Sequence, residues 1–219
     1  MPDRKHRIFL IDDHPLVREW LASLIQQQSD LVVCGEADSA SEATKRITAA
    51  KPHLAIVDLS LGEVSGLELI RHLKHMHPEL LIIVLSMHDE RVYAPRALRA
   101  GARGYVMKRE TANRIVEAIH QVLDGKLGVS EAVSAILSER FVNGQAAAEE
   151  SPIEQLSDRE LQIFRLLGQG RDTRTIAENL HLSIKTVQTY CARIKEKLGL
   201  TNATELLREA IRWSENQAA

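Results

Sequence analysis

Five polar residues stand where short apolar runs stop. Asp12 and Asp13 follow Ile8–Ile11, Asp58 follows Leu54–Val57, Ser86 follows Leu81–Leu85, and Lys108 follows Gly104–Met107. Taken singly, each is an ordinary strand-end group: an aspartate there commonly makes a turn or caps a helix, and a lone lysine is commonly solvated. Taken together they are three carboxylates, a hydroxyl and an ammonium, a set suited to phosphate chemistry. Clustered carboxylates repel one another, and a divalent cation relieves the repulsion. Mg²⁺ takes oxygen ligands, keeps several waters, and is well served by a few carboxylates plus phosphate oxygens. A carboxylate is also a competent nucleophile toward phosphorus. Phosphoryl transfer then needs little beyond positioning and neutralised charge, which Mg²⁺, Lys108 and a hydrogen bond from Ser86 would supply.

These groups meet only if the runs before them are neighbouring strands. The runs Ile8–Ile11, Leu31–Cys34, Leu54–Val57, Leu81–Leu85 and Gly104–Met107 are short, rich in Val, Ile and Leu, and almost continuously apolar. That is the pattern of strands buried on both faces of a parallel sheet. Helical periodicity fills the gaps, over Leu16–Gln28, Ser41–Ala50, Leu67–His75, Arg91–Ala100 and Thr111–Asp124. Pro15 suits a first helical turn, Ser39 or Ser41 a cap, and Gly101 and Gly125 helix ends. Strands alternating with helices predict a doubly wound α/β domain with a five-stranded parallel sheet. In such sheets ligands bind at the carboxyl ends of the strands, where the five polar residues lie.

Past Gly125 the pattern changes. One more helical stretch, Glu131–Val142, precedes an aperiodic run from Asn143 to Pro152 that reads as a linker. Four short helices follow, near Asp158–Leu167, Arg174–Leu180, Ile184–Leu198 and Thr204–Trp213. Ser157 and Glu160 have capping-box spacing. Ser183 is placed to cap a helix whose apolar positions include Ile184, Val187, Ile194 and Leu198, a spacing that buries one face. Between Ser183 and Gly199, Lys185, Arg193, Lys195 and Lys197 stand against one acid, Glu196, and read as a local basic face. This is a smaller all-α, helix-turn-helix pattern. On it Gln188 suits an adenine edge and Thr189 a thymine methyl or either base. Lys185, Thr186, Arg193 and Lys195 suit phosphates, with Arg171 and Arg174 near a helix amino end as a second grip. From the pattern alone a protein-binding helical module stays open as the other reading.

Composition bounds the rest. With 44% apolar and 26% charged residues, the chain is of the globular class. No stretch reaches the roughly 18 apolar residues that a membrane span needs, and the opening run is too short for a signal core. The two cysteines, Cys34 and Cys191, make no disulfide framework and fit a reducing, cytoplasmic setting. Residues 1–150 hold 18 basic and 21 acidic side chains and residues 151–219 hold 10 and 9, so any attraction for a polyanion is local. His72, His75 and His77 lack an acidic partner and are set aside as a metal site.

The segments IDDHPLVREWL, DLSLGEVSGLELI, IIVLSMHDE and ALRAGARGYVMK resemble receiver domains of two-component response regulators of the NarL/FixJ subfamily. LSDRE, IAENL, KTV and KLGL resemble the LuxR-type helix-turn-helix domain that follows such receivers. The resemblance covers nearly the whole chain and implies a flavodoxin-like receiver at 1–125, a linker helix and flexible linker at 126–155, and a DNA-binding domain at 156–219. It implies that Asp58 is phosphorylated by a sensor histidine kinase, with Mg²⁺ held by Asp12, Asp13, Asp58 and the backbone carbonyl of Ser60. Ser86 would turn to the phosphoryl group and Tyr105 swing inward as switch residues. Double-stranded DNA would be bound as a homodimer paired through Thr204–Trp213. A phosphatase with an aspartate nucleophile is the enzymatic alternative, but such enzymes tend to carry an Asp-x-Asp pair and Ser60 stands two past Asp58, so no enzyme is expected. Three departures stand out: Gly62 where the family usually has Pro, predicting a looser loop; Pro95 inside the fourth helix, predicting a late start or a kink; and Tyr190 where His is usual.

Overall fold

The computed structural model describes residues 5–61, 64–142 and 152–218. It divides into two compact units, residues 1–142 and 143–219. In the first, strands β1 (His6–Ile11), β2 (Leu31–Ala37), β3 (Leu54–Val57), β6 (Leu81–Ser86) and β7 (Gly104–Met107) form one parallel sheet in the order β2-β1-β3-β6-β7. A two-residue hairpin, β4 (Ser60–Leu61) with β5 (Val64–Ser65), stands apart from it. The helices between are α1 (Pro15–Gln26), α2 (Ala40–Ala50), α3 (Gly66–Met76), α4 (Glu90–Ala100) and α5 (Ala112–Leu123). β3 and β7 are buried at every position, as their unbroken apolar character requires. Strand order reverses between β1 and β3, where doubly wound sheets place their ligands. Register pairs Ile11 with Val57 and Ser86 with Met107, so Asp12 and Asp58, one step beyond, become neighbours, and Lys108 follows the partner of Ser86, its N–H donating to Ser86 O at 2.8 Å.

Local signals set the helix starts. Ser39, Ser65, Asp89 and Thr111 each accept a backbone N–H of the following turn, a cap worth about 1 kcal/mol. The Asp89 cap starts α4 at Glu90, so the late start predicted from Pro95 does not occur. Pro95 is buried within the helix and leaves the Arg91 carbonyl without its i+4 donor. β2 runs on to Ala37 because a register shift at Ile8/Phe9 renews its pairing with β1. Gly62 and the 143–151 linker segment lie outside the described residues.

The stretch predicted as a linker helix packs with the first unit. Gly128 bridges to Gly104 on the open edge of β7, accepting from Tyr105 N–H at 2.9 Å and donating to Arg103 O at 3.0 Å. Helix α6 (Glu131–Val142) then lies against α4, with Val133 buried and Ser130 Oγ donating to Glu90 Oε1 at 2.8 Å.

In the second unit a 3-10 turn, Pro152–Gln155, leads into α7 (Asp158–Gly168), α8 (Thr173–Asn179), α9 (Ile184–Leu198) and α10 (Ala203–Ala218). The Ser157–Glu160 capping box forms as predicted. His181, in the left-handed region at φ 50°, makes the turn between α8 and α9. Leu161, Phe164, Ile176, Val187, Ile194, Leu206 and Ala210 make the core. α7 and α10 approach so closely at Gly168 that a Cβ there would stand 2.4 Å from Ala210 O. Among the described residues no helix is long and apolar enough to cross a membrane.

Candidate functional site

The five strand-end residues converge. Lys108 Nζ lies 2.8 Å from Asp58 Oδ2 and 2.7 Å from Asp12 Oδ2. Both carboxylates are about 2% exposed, so one ammonium serves two buried anions. Burial pushes the Asp58 carboxyl above its ordinary range; Lys108 pulls it back and neighbouring Asp12 pushes it up again. The Lys108 ammonium is held above its ordinary value although burial opposes this, because Asp58 and Asp12 outweigh the desolvation. Asp13 is the exposed member. Its Oδ1 is 2.6 Å from His14 Nδ1, which also stands 3.2 Å from Asp12 Oδ1. Arg18 donates to the Asp12 carbonyl at 2.6 Å and pins the loop. Asp12, Asp13, His14 and Asp58 each present a ligand atom, all within 4.8 Å of one another. Three hard carboxylates in that set fit Mg²⁺; the imidazole does not belong to its usual ligands.

Ser86 is fully buried beside this cluster, its Oγ accepting from His88 N–H at 3.2 Å. The Tyr105 ring is 1% exposed, already inward, and its hydroxyl donates to His88 O at 2.8 Å. Burial drives the Tyr105 phenol well above its ordinary pKa, so it stays a neutral donor. Ser60, two residues past Asp58, contacts His88 Nε2 through its hydroxyl at 3.1 Å. His88 therefore ties the loops after β3 and β6 to Tyr105, and its ring stacks on Tyr93 at 4.7 Å. At Gly66 an added Cβ would stand 2.3 Å from Asp58 O and 2.6 Å from Leu59 Cα, so α3 can abut the Asp58 turn only through a glycine.

In the second unit the exposed face of α9 carries Lys185, Gln188, Thr189 and Arg193, while Thr186 and Lys195 are half-buried. Thr186 is engaged at the cap, its hydroxyl 2.8 Å from Ser183 Oγ. Arg193 lies over the Tyr190 ring, 5.9 Å from its centroid. Arg174, on α8, is well exposed beside Glu178 at 3.3 Å. Two expectations fail. Lys197 is withdrawn from the basic face, its Nζ 2.6 Å from buried Glu160 Oε2. Ile184, predicted on the buried stripe, is 44% exposed; it sits about 60° round the helix from Val187, in the first position after the cap, and so turns off the stripe.

Residues 8–120 match the family of response regulator receiver domains, and residues 154–210 match bacterial regulatory proteins of the luxR family. Response regulator GacA of Pseudomonas viridiflava is 34% identical over 94% of this chain and 95% of its own length. The DNA-binding transcriptional activator DevR/DosR of Mycobacterium tuberculosis is 33% identical over 91% of each. This chain belongs to the NarL/FixJ subfamily of response regulators. RcsB of Salmonella enterica serovar Typhimurium, solved bound to promoter P1flhDC with the phosphomimetic BeF3⁻, shares the architecture at a TM-score of 0.67, with 26% identity over 94% of this chain and 98% of that one.

As a response regulator, the chain has a flavodoxin-like receiver followed by a helix-turn-helix domain, and its family consists of transcription regulators rather than enzymes. The receiver brings together Asp12, Asp13, Asp58, Ser86 and Lys108, with Ser60 and Tyr105 one layer out. Sequence reasoning missed His14, Gly66 and His88. Only the close approach of α3 gives Gly66 its meaning, and His14 and His88 stood in plain view beside the acids and Ser86 without a period or spacing to mark them.

Proposed function

We propose that this response regulator accepts a phosphoryl group on Asp58, in a Mg²⁺-dependent reaction with a sensor histidine kinase, and in that form binds two-fold DNA as a dimer to regulate transcription. The observation that carries the reading is the single Lys108 ammonium shared by buried Asp58 and Asp12. That arrangement leaves excess negative charge which a cation and a phosphoryl acceptor role both explain. Asp12, Asp13, Asp58 and the Ser60 carbonyl would hold the Mg²⁺, which when bound neutralises charge on the transferring group. An Asp58 oxygen forms the new bond to phosphorus as the bond to the donor imidazole nitrogen breaks; that nitrogen keeps the electron pair, and the proton already on the other ring nitrogen leaves the imidazole neutral. Lys108 then balances a phosphoryl oxygen. The Ser86 hydroxyl turns to donate to another, releasing His88 N–H. Tyr105 is already inward, so this turn would rearrange the Ser86–His88 loop and α4 beneath a ring that stays in place.

Two exposed apolar pairs at helical i,i+4 spacing support the partners. Leu16 and Trp20 on α1 are 79% and 41% exposed close after Asp12 and Asp13, suiting a kinase helix presenting its phosphohistidine. Leu207 and Ile211 on α10 are 41% and 37% exposed, suiting a second copy. Lys185, Thr186, Gln188, Thr189, Arg193, Lys195 and Arg174 would meet the DNA. The test is to treat the full chain with acetyl phosphate, with Mg²⁺ or with chelator, and weigh it intact. One phosphoryl mass should appear only with Mg²⁺ and be lost in Asp58→Asn. A gain that persists in Asp58→Asn would overturn the assignment.

A further inference from the structure

The exposed side of α9 is less polar than a phosphate-gripping helix needs. Ile184, Gln188 and Ala192 follow one another at i,i+4 spacing on a single row, and all three are exposed. Ile184 is the first residue after the Ser183 cap, and recognition helices of this kind meet base edges with their amino-terminal residues. Beside that row, Thr189 donates its hydroxyl to the Lys185 carbonyl at 2.9 Å, so its hydrogen is spent within the helix and its methyl and lone pairs remain. A solvated helix face gains nothing from an exposed isoleucine, since burial is what rewards it. Lys185 and Arg193, exposed beside the row, and half-buried Lys195 give the surroundings the charge that draws DNA phosphates.

We infer that Ile184 is a specificity-determining residue that reads the C5-methyl group of a thymine in the major groove, in a half-site where Gln188 takes a neighbouring adenine. The major groove offers one apolar group, that methyl, and one donor–acceptor pair matched to a side-chain amide, on adenine. An isoleucine and a glutamine one turn apart match those two. This rests on the reading that the second unit binds DNA.

The test uses the full chain treated with beryllium fluoride and a duplex selected by it from random sequence. Each thymine of a half-site is replaced in turn by deoxyuridine, which deletes only the methyl. For wild type, one replacement should weaken binding about fourfold, the value of one buried methyl-sized group. Ile184→Ala should lose about as much on the thymine duplex and nothing further at that uracil, while Ile184→Val keeps most of the discrimination. Ile184 is 44% exposed and outside the buried set of α9, Val187 and Ile194, so helix content by circular dichroism should match wild type in both variants. If binding is salt-dependent but indifferent to uracil at every position, or if the two losses add, this proposal falls alone. If no duplex is selected, the DNA-binding reading falls and takes it along.

Discussion

Asp58 and Asp12 divide one ammonium between them, and that sharing has a cost that can be measured. Burial, with Asp12 beside it, holds the Asp58 carboxyl above its ordinary range despite Lys108. A carboxyl that keeps its proton more tightly when folded than when unfolded takes stability from the fold as pH rises past its unfolded value of about 4. Asp58→Asn should therefore be more stable than wild type at neutral pH, while accepting no phosphoryl group. In urea melts the gap should widen from about pH 4 upward, and a variant less stable at pH 7 would contradict it. Gly66 makes the opposite case. Gly66→Ala puts a methyl against the Asp58 carbonyl and the Leu59 backbone, neither of which is a flexible side-chain end. We expect a loss of about 1–3 kcal/mol in the same melts and slower phosphorylation, because the turn carrying the acceptor must shift. The acids, Ser86 and Lys108 were legible because each follows an apolar run, and strand ends in parallel sheets share an edge. Gly66 was not, because a glycine before a helix looks the same whether it is permissive or required.

Between elements, one ion pair does what the helix periodicity cannot. The capping box of α7 and the last turns of α9 meet through Glu160 and Lys197, which are 37 residues apart. Burial raises the Glu160 carboxyl, but Lys197 and the Ser157 N–H more than offset it and hold it below the ordinary range. A depressed acid adds stability above its unfolded value of about 4.3 and loses it as pH falls through the folded one. Lys197→Met should thus cost the second unit about 1–3 kcal/mol at pH 7 by leaving a buried carboxylate without its cation, with the difference from wild type closing in acid. Hydrogen exchange of the α7 and α9 amides would report it, and unchanged protection at pH 7 would refute the coupling. The sequence assigned Lys197 to a basic face because local spacing cannot register a partner so far off. The same blindness separated Gly128 and α6 from the first unit, whereas the order of the five sheet strands and the helices between them rested on local patterning and was readable; the two-residue strands β4 and β5 were too short to show a period.

For the whole molecule, charge and valence set how DNA can be held. The chain carries a net charge of −2, so long-range attraction to a polyanion is absent and affinity must come from contacts at α9 and from doubling them. Leu206 and Ala210 of α10 are buried in the second unit, while Leu207 and Ile211 face out, leaving an apolar strip that a second copy would cover. Joining two half-site readers makes the second binding event intramolecular, which raises apparent affinity by about 100-fold or more without any new DNA contact. Leu207→Asp places a charge in that strip, at a position 41% exposed and outside α9. Wild type should therefore prefer a duplex with two half-sites over one with a single half-site by about that factor, whereas Leu207→Asp should bind both alike. The dependence of binding on salt should also fall to roughly half in the variant, since each copy then neutralises only its own phosphates. If Leu207→Asp keeps the full preference for paired half-sites, α10 is not the pairing surface, and the dimer must be made elsewhere on the chain.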